Sequence, residues 1–74
     1  MKPRSYTVVY EAAEEGGYYA HVPALGITTE GESLRDAKRM ARDAIGGYIE
    51  AAKAIGKPLP RNKGVRVEEV EVSA

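Results

Sequence analysis

Over residues 33–55 the chain carries Leu34, Ala37, Ala41, Ala44, Ile45, Tyr48, Ala52 and Ile55 at steps of three and four residues. At about 100° per residue these side chains share one stripe of an α-helix, and such a stripe has to be buried against something. Ser33 is placed to cap the first turn, with Asp36 three residues on to reach back as a shortened capping box. At the far end Gly56 suits a left-handed terminating residue and Pro58 forbids continuation. Gly46 and Gly47 oppose these signals, each costing about 1 kcal/mol relative to alanine in a helix interior. Either they lie on the solvated side, or another chain or backbone packs against them.

The rest of the sequence supplies strands to cover that stripe. Residues 5–11 are dense in β-branched and aromatic side chains, residues 12–17 hold the turn signal Glu14-Glu15-Gly16-Gly17, and residues 18–22 return as a second, antiparallel strand that Pro23 closes. Residues 25–30 offer a third short strand around Ile27-Thr28-Thr29. After the helix, residues 56–64 read as a connector and residues 65–72 as a last strand whose alternation breaks phase. Val65 and Val67 share one face, Val70 and Val72 the other, as a bulge or an edge strand would give. The expected fold is therefore α+β in the order β-β-β-α-β, as one domain over residues 1–74. One helix covers one face of a sheet, which leaves the other face for solvent or a partner. Alternation does not decide whether Tyr6, Val8 and Tyr10 or Thr7 and Val9 face the helix, because both sets carry apolar residues.

A 74-residue chain buries only about 60% of the surface it exposes when unfolded. With no cysteine, neither a disulfide nor a thiolate metal site can stabilise it, so self-association is expected, as a dimer or tetramer. All five aromatic residues are tyrosines, which suit interfaces and half-covered sheets. Eleven basic residues balance eleven acidic ones, so there is no global field to attract nucleic acid or an anionic membrane. The sequence has no membrane-length apolar run and no signal-peptide segment, and a cytoplasmic location is expected. The absence of glutamine and cysteine, with asparagine only at Asn62, points toward a thermophilic source.

Catalytic signals are missing. His21 is the single histidine and reads as a polar strand residue. No metal-ligand spacing or phosphate-cradling glycine loop occurs, and a two-metal nuclease would have to enlist Glu11, Asp36 and Asp43. No catalytic, cofactor-binding or metal-binding residue is assigned, and an enzyme is not expected. Two charged sets are better candidates for binding. Glu14, Glu15, Glu30 and Glu32 cluster in the loops before the helix and, with Tyr18 and Tyr19, could engage a basic partner. Arg35, Lys38, Arg39 and Arg42 form a basic stripe in the half of the helix where the dipole disfavours positive charge, either as a nucleic-acid-binding or acidic-partner surface or as a solvated face with pairs such as Arg39 to Asp43.

The ordered series Tyr6-Thr-Val-Val-Tyr-Glu, an acidic turn, Gly17-Tyr-Tyr-Ala-His-Val-Pro23, Leu25-Gly26, a threonine-rich strand, Gly31-Glu-Ser33, the alanine-rich helix and Gly56-Lys-Pro-Leu-Pro60 resembles the HicB antitoxin family. The resemblance covers residues 6–60. It implies a partial ribonuclease-H-like fold without the active site, and a role in binding and masking a small basic HicA-type toxin that cleaves messenger RNA. Gly17, Val22, Pro23, Gly26, Gly31, Ser33 and Ala37 match the motif as turns, strand end, cap and core. Leu25 runs straight into Gly26, and Ile27 stands where the family commonly has a cysteine. Many relatives continue into a DNA-binding segment after the last strand, which this sequence lacks, so direct operator binding is not expected. The alternatives are a stand-alone nucleic-acid binder using the basic stripe and an orphan oligomeric domain without a toxin partner.

Overall fold

The computed structural model describes residues 4–73. Its sheet is formed by β1 (Val9–Ala12), β2 (Tyr18–Val22) and β3 (Ile27–Gly31), antiparallel in the order β1-β2-β3, and the helix α1 (Leu34–Ala54) packs on β3 and β2. A short 3-10 turn (Pro23–Leu25) joins β2 to β3. The α+β class and the helix agree with expectation. The Ser33 hydroxyl accepts the Asp36 N–H at 3.0 Å, and the Asp36 carboxylate accepts the Glu32 N–H at 2.9 Å. At the other end Gly56 is left-handed (φ 70°), Gly56 N–H donates to Lys53 O, and Lys57 N–H donates to Ala52 O, as in a Schellman termination.

Register settles which face is inside. Tyr10 pairs with Ala20 and Ala20 with Thr29, while Tyr18 lies opposite Gly31. Val8, Tyr10 and Tyr18 pack around buried Ala20, Ala37 and Ala41, so the set Tyr6, Val8 and Tyr10 is the one that faces the helix. One position shows how close the layers come. A Cβ added at Gly31 would stand 2.4 Å from the Ala37 nitrogen, so glycine is what lets the first turn of α1 rest on β3. Such an approach leaves room for little more than methyl groups. Of the six buried apolar residues among those described four are alanines, the others being Val22 and Leu25. Leu34 and Ile55, the two ends of the expected stripe, lie beyond the sheet's cover at 39% and 77% exposure.

Strand boundaries shift for local reasons. β1 begins at Val9 rather than residue 5, because continuing the pairing past Val9–His21 would need Val22 and then Pro23, where the 3-10 turn carries β2 away. Leu25 belongs to that turn, so β3 starts at Ile27. The connector is held to the β1 lead-in instead: the Tyr6 hydroxyl donates to Pro60 O at 2.7 Å, and Asn62 makes two hydrogen bonds with Thr7 at 2.9 Å each.

The expected last strand, residues 65–72, does not form. Gly64 takes a positive φ of 77° just after the Asn62 anchor and turns the chain, and the segment that follows has no ladder partner among the described residues. Val67, Val70 and Val72 are 69%, 75% and 76% exposed. Its broken alternation is the physical reason, since with valines divided between two faces neither face can be buried whole against this chain's own core.

Gly46 and Gly47 are exposed on α1 with no atom within 4 Å of an added Cβ. Gly46→Ala should therefore raise stability by about 1 kcal/mol. By contrast Gly31→Ala should lower it by about 1–3 kcal/mol, or more if the helix is displaced. Urea denaturation followed by the helical circular-dichroism signal measures both.

Candidate partner-binding face and basic groove

Alternation turns Val9, Glu11, Tyr19, His21, Thr28 and Glu30 toward the side of the sheet that α1 does not cover. His21 is the centre of a cross-strand row. Its Nε2 lies 3.1 Å from a Glu11 oxygen and its Nδ1 lies 3.0 Å from the Thr28 hydroxyl. A neutral imidazole satisfies both contacts, donating from Nε2–H to the carboxylate and accepting at Nδ1 from the hydroxyl. The Tyr19 ring stacks beside it, with centroids 6.2 Å apart and planes at 27°, and the Tyr19 hydroxyl donates to Glu15 at 3.1 Å. That hydrogen bond, together with the Glu15 charge, holds the Tyr19 phenol above its ordinary pKa, with Glu30 and Glu11 adding to the effect. The face thus carries carboxylates around an aromatic centre.

Register also brings the two acidic loops together. Tyr19 is opposite Glu30 and Tyr18 is opposite Gly31, and Gly17 lies directly against the Gly31–Glu32 backbone. Glu14 and Glu15, in the turn between β1 and β2, therefore share one end of the sheet with Glu30 and Glu32. Tyr18 is on the opposite side, half-buried against the alanine core. Sequence reasoning passed over Glu11, His21 and Thr28 as a unit. The signal was present in the turn: centring the hairpin on Glu15 puts His21 diagonal to Glu11 across adjacent strands.

The basic stripe divides. Arg39 bonds to Asp36 at 2.7 Å and lies 3.6 Å from Asp43. Lys38 and Arg42 instead line a groove of about 440 Å³ between α1 and the edge of the sheet, joined there by Arg4. Its apolar lining is Tyr6, Val8, Tyr10, Ala41 and Ile45. Arg35 is exposed at the start of the helix. Glu11, Asp36 and Asp43 do not converge, and no group of three or more histidine, cysteine or carboxylate side chains suited to a metal occurs among the described residues. No described helix is long and apolar enough to cross a membrane.

No family model matches the chain, and no solved structure gives a significant match. Two relatives do. A UPF0150 protein of Thermoplasma acidophilum, Ta0767, is 37% identical over 70 residues, covering 93% of this chain and 97% of its own. The chain belongs to the UPF0150 family. A second member, ssr1765 of Synechocystis, is 36% identical over 58 residues, covering 77% of this chain and 73% of its own. The family name states no activity, so the UPF0150 chain's function has to be argued from its surfaces. The Thermoplasma relative is consistent with the thermophilic cast of the composition.

Replacing Glu15 with glutamine removes the main cause of the raised Tyr19 pKa, which should fall toward the ordinary tyrosine value in an NMR titration of the Tyr19 ring carbon. At the other end of the pH range, the Glu32 N–H and then Arg39 hold the Asp36 carboxyl below its ordinary value. Its folded pKa lies under the unfolded one of about 3.9, so its contribution to stability is complete above that value and lost as pH falls through the folded pKa. The difference in melting temperature between the native chain and Asp36→Asn should accordingly be constant near neutrality and shrink below about pH 4.

Proposed function

We propose that this UPF0150 chain is a HicB-like antitoxin module, non-enzymatic and oligomeric, that binds and masks a small basic HicA-type toxin cleaving messenger RNA. The observation that carries the reading is the uncovered sheet face, where Glu11, Glu15 and Glu30 surround Tyr19 and His21. An acidic face with an aromatic centre complements a basic RNA-binding surface, and covering such a surface excludes substrate without chemistry. The ordered sequence resemblance over residues 6–60 supports the same reading.

The Glu11–His21–Thr28 row has the residue types of an acyl-transfer relay. We read it as a cross-strand ladder that orders the face, because the His21 and Glu11 side chains are 35% and 67% exposed and water is not excluded from them. Nucleic-acid binding through the helix stripe has less support. One of its four cations, Arg39, is committed to two carboxylates, and the net charge of the chain is zero.

The test is co-expression with any small basic protein encoded beside this chain, scoring rescue of growth and co-elution from a sizing column. Reversing Glu14, Glu15, Glu30 and Glu32 together should weaken the complex at least tenfold, about 1.4 kcal/mol, mainly through slower association at low salt. Unchanged affinity would remove these residues from the mechanism. A neighbour that neither harms growth nor binds would overturn the antitoxin reading and favour an orphan domain.

A further inference from the structure

Two features of this molecule lack a counterpart within the chain, and they match each other. The first is the segment 65–72, rich in β-branched residues, with three valines more than two-thirds exposed. The described residues extend 47 × 28 × 19 Å with a radius of gyration of 14.3 Å, against about 11 Å for a compact chain of this length. The second is the groove beside α1, apolar within and lined by Arg4, Lys38 and Arg42.

Among the described residues no strand pairs with the outer edge of β1 at that groove. Ala13 N–H donates to Gly17 O at 3.0 Å, which fixes the ladder phase: Val9 and Glu11 bond to β2, and Tyr10 turns its backbone N–H and C=O away from it. An unpaired edge next to an apolar groove is a template for an added strand. In an extended segment 65–72, Arg66, Glu68, Val70 and Val72 share one side, with Arg66 in the first half and the valines in the second. Turned toward the helix layer, that side sets Val70 and Val72 over Val8, Tyr10 and Ile45 and brings Glu68 to the groove's cations. Glu69 and Glu71 then fall on the acidic face of the sheet. The phase break that prevents a strand within this chain suits a strand that meets α1 only over its second half.

We propose that residues 65–72 of one copy add along the β1 edge of a second copy and fill its groove, and that the exchange is reciprocal. The occupant is a second copy rather than the same chain because Asn62 is pinned to Thr7 and Gly64 then turns the segment off the body, leaving its valines exposed. Reciprocal exchange closes a twofold dimer in which each copy gains a fourth strand, and no open filament forms. The inference does not depend on the antitoxin reading, since it rests on the β1 edge and the helix-side groove; the added strand touches the acidic face only by extending it with Glu69 and Glu71.

Light scattering on a sizing column tests it with the full chain. The native protein should elute at twice the 8.0 kDa chain mass. Val70→Asp with Val72→Asp alters only side chains exposed in the single copy, so the helical circular-dichroism signal should persist while the dimer dissociation constant rises at least tenfold. Exchange between copies is distinguished from folding back by mixing. A chain carrying Glu68→Lys and a chain carrying Lys38→Glu with Arg42→Glu should each dimerise poorly alone and recover a stable heterodimer when combined, because both grooves then face a segment of opposite charge. A monomeric native chain, a dimer indifferent to the valine substitutions, or no recovery on mixing would each overturn the proposal. So would a monomer that binds RNA through Lys38 and Arg42, which would assign the groove to nucleic acid.

Discussion

The contact between Gly31 and the first turn of α1 is the one on which the other packing depends. Because the helix backbone there nearly touches the strand, the layers meet through Ala37, Ala41 and Ala20, and no large side chain is needed or admitted at that point. The capping bonds of Ser33 and Asp36 fix where the helix begins relative to that contact, and Asp36 in turn holds Arg39. Those bonds couple the helix entrance to the charge pattern of its first turns. Lys38 and Arg42 are left over the groove while Arg39 is occupied.

A close approach on the β3 side has a cost on the β1 side. The helix leans over β3 and β2, so Tyr6, Val8 and Tyr10 are only half-covered and the groove opens beside them. Tyrosines tolerate this because the ring can pack while the hydroxyl stays hydrated or finds a carbonyl, as Tyr6 does at Pro60. On the other face the same strands offer alternate residues, and there the strand pairing assembles carboxylates and rings into a single surface. One three-stranded sheet thus carries an apolar, basic-lined edge on one side and a carboxylate-rich face on the other.

The helix was legible in the sequence to within a residue at each end, because period, cap and terminator are local signals that agree. β2 was legible for the same reason, bounded by the glycine turn and Pro23. The inward face of β1 was not, since both of its faces carry apolar residues and only the pairing with Ala20 decides between them. Residues 65–72 were misread because β-propensity describes a residue's fit to a pleated surface and says nothing about whether the chain supplies that surface. The acidic residues Glu14, Glu15, Glu30 and Glu32 are grouped in the sequence reading, and register brings them to one end of the sheet. Tyr18 was grouped with Tyr19 although adjacent strand residues point to opposite sides, and the His21 row escaped notice because it exists only once the register is known.

The alanine core also shapes how this protein should respond to temperature. Heat capacity on unfolding grows with the apolar surface released, and a core of four alanines, a valine and a leucine releases little. A small heat-capacity change makes the stability curve broad and flat, so the folded state gains little at its optimum and loses little far from it. Any association that buries the exposed valines would raise such a curve and also add to its curvature, because it adds apolar surface to what unfolding releases.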